Sequence, residues 1–191
     1  MASRSESAAA TRRALLKAAR ELLNEGGPHN VTLREVGARA DVSRGAAYRH
    51  FADKESLLAA VGAESWDRVT QALAGLHPTP SVGSATLLRS ALDPLLTVGR
   101  EEPEVFRTMF TVPAKSPELA IQAAGRAQLE FLRVVGLVVG DGQAHLYGAM
   151  LLTSALGIAS MAASDGLDPR MWQTTPDSVL DALVGMIADR G

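Results

Sequence analysis

Three helix-start signals stand ten to eleven residues apart in this chain, at Thr32, Ser43 and Asp53. Each is an oxygen-bearing side chain that can accept a hydrogen bond from the free N–H groups of a first helical turn. Starts this close leave room for only about two turns of helix between them. Residues 33–52 must therefore fold as short helices joined by tight turns. The first start is the most fully marked: Thr32 and Glu35 have the T-x-x-E spacing of a capping box, and Val31 and Val36 hold the two positions of a hydrophobic staple. Asp41 tolerates the left-handed conformation a turn needs, and Ser43 then caps a helix predicted over Arg44 to Phe51. Asp53 opens another, with Lys54, Glu55, Leu57, Leu58 and Val61.

Helical punctuation extends to both sides. Leu15, Ala18, Ala19, Leu22 and Leu23 recur at helical spacing until Gly26, Gly27 and Pro28 end the pattern. Downstream, Trp66, Val69 and Leu73 continue the fourth helix towards a loop at 77–84. Beyond it, Leu87, Leu88, Ala91, Leu92, Leu95 and Leu96 predict a helix that Pro94 should kink. Pro103, Pro117 behind Ser116, and Pro176 behind Thr175 mark further starts. About five helices are expected between 84 and 189. With 47% hydrophobic residues, 4% aromatic and few β-branched runs, the chain reads as all-α. Its expected parts are a flexible polar arm over 1–10, a helix-turn-helix domain over 11–60 and a helical regulatory domain over 61–191.

Charge is unevenly spread. Residues 1–60 carry ten Lys and Arg against seven Asp and Glu, whereas residues 61–191 carry nine against fourteen. The positive end acts as an electrostatic footprint where its members share a face. The absence of cysteine excludes disulfide and thiolate chemistry. The opening MASRSESAAATRR has no apolar core or cleavage pattern of a signal peptide, so a cytoplasmic location is expected. From Gly142 to Ser164 no charged side chain of Asp, Glu, Lys or Arg occurs, a length that can span a bilayer. Gln143, His145, Thr153, the acidic flanks Asp141 and Asp165, and the lack of an orienting Lys/Arg cluster point instead to a helix in a protein interface. No membrane partner is expected.

Two short helices joined by a tight turn describe a helix-turn-helix over about 33–52, whose second helix enters the DNA major groove. Gly37, Ala38, Ala46 and Ala47 are small enough to let the helices cross closely, with Val42 and Phe51 as apolar plugs. Ser43, Arg44, Gly45, Tyr48 and Arg49 make the outer face, where arginine can form a bidentate pair with guanine and Gly45 leaves room for the base edges. Ala46 is counted with this DNA-facing set as well as with the crossing. Thr32 and Lys54 stand at helix starts that attract phosphate, and Tyr48 and His50 can bond phosphate oxygens. His50 can equally pack on the first helix, and Arg49 can be solvated. Arg4, Arg12 and Arg13 can follow the minor groove or stay in water.

The run AARELLNEGGPHNVTLREVGARADVSRGAAYRHFADKESLLAAV, Ala18 to Val61, resembles the DNA-binding domain of the TetR (tetracycline-repressor) family of bacterial transcription regulators. Thr32, Val42-Ser43, Gly45, Tyr48-Arg49-His50-Phe51 and Lys54-Glu55 stand in family order. The resemblance implies a homodimer on a double-stranded, palindromic operator, with a helical C-terminal domain that commonly binds a small molecule and so releases the DNA. The chain departs from the pattern at Asp41, where the family often has glycine, and at Ala46 and Ala47, where it often has Thr and Leu.

In the C-terminal part, Gly148, Ala155 and Ala162, and Ala155, Ala159 and Ala163, form small-residue stripes. They suit either an intrachain core or, as the resemblance implies, a dimer interface through helices near 143–164 and 176–189. Phe106, Met109, Phe110, Phe131, Met150 and Met161 are candidates to line a cavity for an apolar or amphipathic effector, with Gln128, His145 and Tyr147 orienting it; the same residues can simply be core. Arg126 and Glu130, four apart, read as a surface pair. No H-E-x-x-H, phosphate loop or G-x-S-x-G occurs, so no catalytic site, metal or cofactor is expected. The readings are a ligand-released repressor, a regulator without a natural ligand and, from another class, an all-α enzyme or carrier.

Overall fold

The computed structural model describes residues 4–79, 82–114, 117–164 and 166–190, the side chains of Arg4 and Arg44 excepted. No strand occurs among them. The helices are α1 (Arg4–Gly26), α2 (Leu33–Arg39), α3 (Arg44–His50), α4 (Lys54–Ala74), α5 (Ser84–Glu101), α6 (Pro103–Met109), α7 (Glu118–Val139), α8 (Asp141–Ala163), α9 (Pro169–Trp172) and α10 (Pro176–Ala188), with a 3-10 turn at Pro28–Asn30. Residues 4–10, expected as part of a flexible arm, instead continue α1. Their three alanines and the acidic Glu6 in the first turn favour helix. The cap expected of Ser116 lies outside the described residues.

The chain divides into two compact units, Met1–Trp66 with Glu101–Ala124, and Asp67–Arg100 with Gly125–Gly191. The first unit reaches six residues past the expected break at residue 60 and adds the later segment Glu101–Ala124. The physical reason is α6. Its Val105 and Met109 are buried, and the Trp66 indole donates to the Met109 carbonyl at 2.9 Å. Trp66 also meets the Phe110 ring edge-on at 5.3 Å. Arg20 of α1 draws in both α4 and α6, bonding Glu64 at 2.6 Å and approaching Glu102 at 3.7 Å. Leu15, Leu23, Val31, Val36, Ala47, Leu57 and Val61 complete this core.

In the second unit the apolar face of α5 is buried from Leu87 to Val98, and Pro94 lies inside the helix, where it offers no N–H to the Ser90 carbonyl. Arg89 ties α5 to α10 through Asp177 at 2.6 Å and Asp181 at 3.2 Å. Arg126 pairs with Asp67 at 2.6 Å and Glu130 with Arg133 at 2.8 Å, so these two do not pair with one another as their spacing suggested. Helices α7 and α8 come close at Gly148, where a Cβ would stand 2.7 Å from Leu132 Cδ2. Ala144, Gly148, Leu151 and Ala155 are the buried line of α8. The front of the small-residue stripe thus serves the chain's own core, while Ala162 and Ala163 are exposed. The rest of α8 is half-buried or exposed: the helix is long and apolar enough to cross a membrane by length and composition alone, yet only 17% of its most apolar stretch is buried.

Candidate nucleic-acid interface

The turn geometry follows from local chemistry. Thr32 caps α2, accepting from Glu35 N at 3.2 Å, while its hydroxyl donates to the Glu35 carboxylate. This closes the expected box by a side-chain pair rather than by a bond from Glu35 to the Thr32 backbone. The end of α2 is a Schellman arrangement: Val42 N donates to Gly37 O at 3.0 Å, Asp41 N donates to Ala38 O at 3.2 Å, and Asp41 adopts φ 53°. Ser43 then caps α3, accepting from Ala46 N at 3.2 Å. The turn between the two short helices is therefore closed by the Ser43 side chain and the left-handed Asp41.

The outer face of α3 presents Ser43, Tyr48 and Arg49 to solvent, with Tyr48 at 48% exposure. Arg44 begins the helix, but its side chain lies outside the described residues. A Cβ placed on Gly45 would meet nothing within 4 Å. No packing inside this chain requires a glycine there. Ala46 has to be removed from the DNA-facing set: it is 8% exposed and Ala47 is fully buried, since both fill the helix crossing. Ala38 shows the reverse, being exposed rather than in the crossing. Val42 is half-buried and Phe51 buried. His50 is half-buried at the last turn of α3.

Around this face the basic residues separate into occupied and open ones. Arg39 forms a bidentate pair with Glu25 at 2.8 and 3.0 Å, which holds the Glu25 carboxyl below its ordinary range through that hydrogen bond. Arg12 stacks over the Phe51 ring at 4.6 Å and so belongs to the domain rather than to a free arm. Lys54 donates to the Pro28 carbonyl, leaving two further donors on its ammonium. The first N–H groups of α4 already have an anion, because Asp53 Oδ1 accepts from Ser56 N at 2.8 Å. A phosphate near Lys54 would thus meet the ammonium rather than a vacant helix end. Arg34, passed over in the sequence, is exposed on the first turn of α2, with no ion pair among the described residues. Only its place beside Thr32 at a helix start signals it.

The nine effector-cavity candidates do not share one environment. Phe106, Met109 and Phe110 belong to the first unit, where Phe106 and Phe110 pack ring to ring at 5.1 Å. In the second unit Phe131 is buried under Gly148, Tyr147 is half-buried, and Gln128, His145, Met150 and Met161 are exposed. Helical spacing identifies residues on one face without saying whether that face looks inward. A cleft of about 370 Å³ does exist in the second unit between α4 and α5, lined by Val69, Ala72, Leu76, Ser90, Pro94 and Thr97 among others. No group of three His, Asp or Glu suited to a metal occurs among the described residues.

A capped pair of seven-residue helices, set at a Schellman turn and showing a polar outer face with an open glycine, defines the helix-turn-helix class of DNA-binding domains. Residues 15–61 match the family described as bacterial regulatory proteins, tetR family. That match covers 47 of the 191 residues, and over them the chain is similar to members of that family. The HTH-type transcriptional repressor Rv3405c of Mycobacterium tuberculosis is 34% identical over 80 residues, which take in 42% of this chain and 39% of that protein. The HTH-type transcriptional regulator BetI of Escherichia coli is 37% identical over 82 residues, covering 42% of each. The matched segment thus spans less than half the length of these relatives, which are transcription regulators rather than enzymes. Over the whole chain the fold is that of a Rhodococcus sp. RHA1 protein of unknown function (TM-score 0.76, 22% identity, 94% of each chain). It is also that of SCO7222, a TetR from Streptomyces coelicolor (TM-score 0.63, 21% identity, 93% of this chain and 92% of that one).

Proposed function

We propose that this chain is a DNA-binding transcriptional regulator, a repressor that holds a palindromic operator as a homodimer with one α3 in each of two major grooves. The observation that carries this reading is the outer face of α3, where Gly45 is open and Tyr48 and Arg49 are exposed beside it. In the proposed division of labour Arg44 reads bases, Tyr48 and Arg49 read or grip, and Ser43, Thr32, Lys54 and His50 contact phosphates. Arg34 joins the phosphate contacts, since the first helix of the motif crosses the DNA backbone.

Support for the homodimer comes from Leu146, Met150 and Met161 of α8 and Met186 of α10, all at least 42% exposed although the two helices pack on one another. Large exposed apolar surfaces of this kind mark interaction sites. A small apolar or amphipathic effector, acting in the second unit, would favour an arrangement of the two heads that no longer matches the operator. The scattering of the expected cavity residues favours a second reading, a regulator without a natural ligand. A role on the chromosome places the protein in the cytoplasm.

Gel-shift titration against DNA upstream of its own gene tests the reading. Arg44→Ala should weaken specific binding by about 1–3 kcal/mol and relax one base position, whereas Lys54→Ala should weaken all sequences alike and flatten the salt slope. Binding to that region no tighter than to random DNA would refute it.

A further inference from the structure

Arginines of the first unit are held in two ways. Arg20 is bonded to Glu64 at 2.6 Å and stands 3.7 Å from Glu102. Arg39 forms its fork with Glu25 at 2.8 and 3.0 Å. Arg12 is held by an aromatic ring instead. Its guanidinium lies over Phe51, 4.6 Å from the ring centroid, and makes no hydrogen bond or ion pair among the described residues. A carboxylate takes up N–H donors, whereas a ring attracts the charge and leaves the guanidinium N–H groups unspent. Arg12 is therefore a cation fixed in place with its hydrogen-bonding capacity intact.

The ring fixes where those donors stand. Phe51 is the C-cap of α3 and is buried, so it holds the cation at the C-terminal end of that helix. Arg12 is itself half-buried, and α1, which carries it, packs on α3. Lys54 stands three residues beyond Phe51. In three-helix forms of the motif the recognition helix meets base edges, while its C-terminal end meets the sugar-phosphate backbone. Arginine suits that place, because its planar fork matches phosphate oxygens and a side chain already immobilised loses little freedom on binding.

We propose that Arg12 is a phosphate-binding residue of the DNA interface, aimed by Phe51 so that its unspent N–H groups meet a backbone phosphate at the C-terminal end of α3. The proposal rests on the reading of α3 as the recognition helix and adds α1 to the helices that touch DNA. It also gives Phe51 a second task, since the apolar plug of the domain is the platform that positions the cation. A phosphate contact carries no sequence information, so Arg12 sets how tightly any duplex is held and not which one is preferred.

Fluorescence anisotropy of the full chain on an A·T-rich and a G·C-rich duplex, titrated over a range of salt, tests it. Arg12→Met keeps an unbranched side chain over Phe51 without the charge. It should bind both duplexes about tenfold more weakly, with a salt slope shallower by about one per chain. Arg12→Lys keeps the charge without the fork, and should restore the slope while leaving affinity below wild type. Arg170→Met removes the same charge from the second unit and should leave both quantities at wild-type values; an equal loss there would make the effect one of net charge and overturn the contact. A wild-type slope in Arg12→Met overturns it too, as does a loss confined to the A·T-rich duplex, which would place Arg12 in the minor groove. If Arg12→Met does not fold, Arg12→Lys decides: weaker binding to both duplexes at an unchanged melting temperature supports the contact, and wild-type affinity contradicts it. A wild-type chain that binds neither duplex refutes the proposed function itself.

Discussion

The two compact units finish their surfaces differently. In the first, apolar side chains of α1 to α4 and α6 are mostly consumed, and the exposed face of α3 is polar apart from the Tyr48 ring. In the second, α8 buries only the line of Ala144, Gly148, Leu151 and Ala155 and leaves Leu146, Met150 and Met161 in the open. Apart from Tyr48, the first unit has its exposed large apolar side chains, Phe110, Val112, Leu119 and Ile121, outside the helix-turn-helix. The second leaves a line of large apolar side chains on a long helix uncovered, a kind of surface that marks interaction sites. Under the proposed function, the contrast separates the job of meeting DNA from that of setting how many copies meet it.

The strongest way to break the contrast is to make α8 polar. Leu146→Asp with Met150→Asp should render the chain monomeric in sedimentation velocity, with operator affinity falling about a hundredfold or more because two half-sites are no longer held together. The helical signal and the fold of the first unit should persist. If the double variant unfolds instead, these side chains are needed within one copy and the contrast fails.

Gly45→Ala sharpens the other side. No neighbour obstructs the new methyl, and alanine is favoured over glycine in a helix by about 1 kcal/mol. Thermal stability should rise slightly while operator affinity falls about tenfold, as a methyl enters the space kept for base edges. Loss of both stability and affinity would show that Gly45 serves the fold. Asp41→Gly should add up to about 1 kcal/mol to stability, because glycine takes the left-handed φ of 53° without steric penalty; urea melts measure it, and an unchanged or lower midpoint would deny that this turn carries strain.

The smallest expected effect is electrostatic. Glu25 has a folded pKa lowered from 4.5 by its bond to Arg39. A lowered carboxyl stabilises the fold above its unfolded value, and that stabilisation is lost as pH falls through the folded value. Arg39→Gln should therefore flatten acid melting only in that window, and the fully solvent-facing position of the pair keeps the change small.

What could be read from the sequence follows from distance along the chain. The caps at Thr32, Ser43 and Asp53 and the left-handed Asp41 are made by bonds across three to five residues, so their spacing announced them. The docking of α6 depends on Trp66 and Met109, 43 residues apart, and the partner of Arg126 is 59 residues away at Asp67. No local pattern encodes either. Small residues misled for another reason. Ala46 and Ala38 are equally compatible with a crossing and with an outer face, and only packing shows that the first is inside and the second outside. The same ambiguity of face scattered the expected effector cavity and turned the front of the α8 stripe inward.

The central claim, that two α3 helices of one dimer read a symmetric site, is tested most directly by hydroxyl-radical footprinting of the full chain on its own upstream region. The account predicts two protected patches related by a palindrome, with centres about one helical turn or a whole multiple of it apart, both weakened together by Gly45→Ala. A single unpaired patch, or uniform protection that Gly45→Ala leaves unchanged, would contradict it.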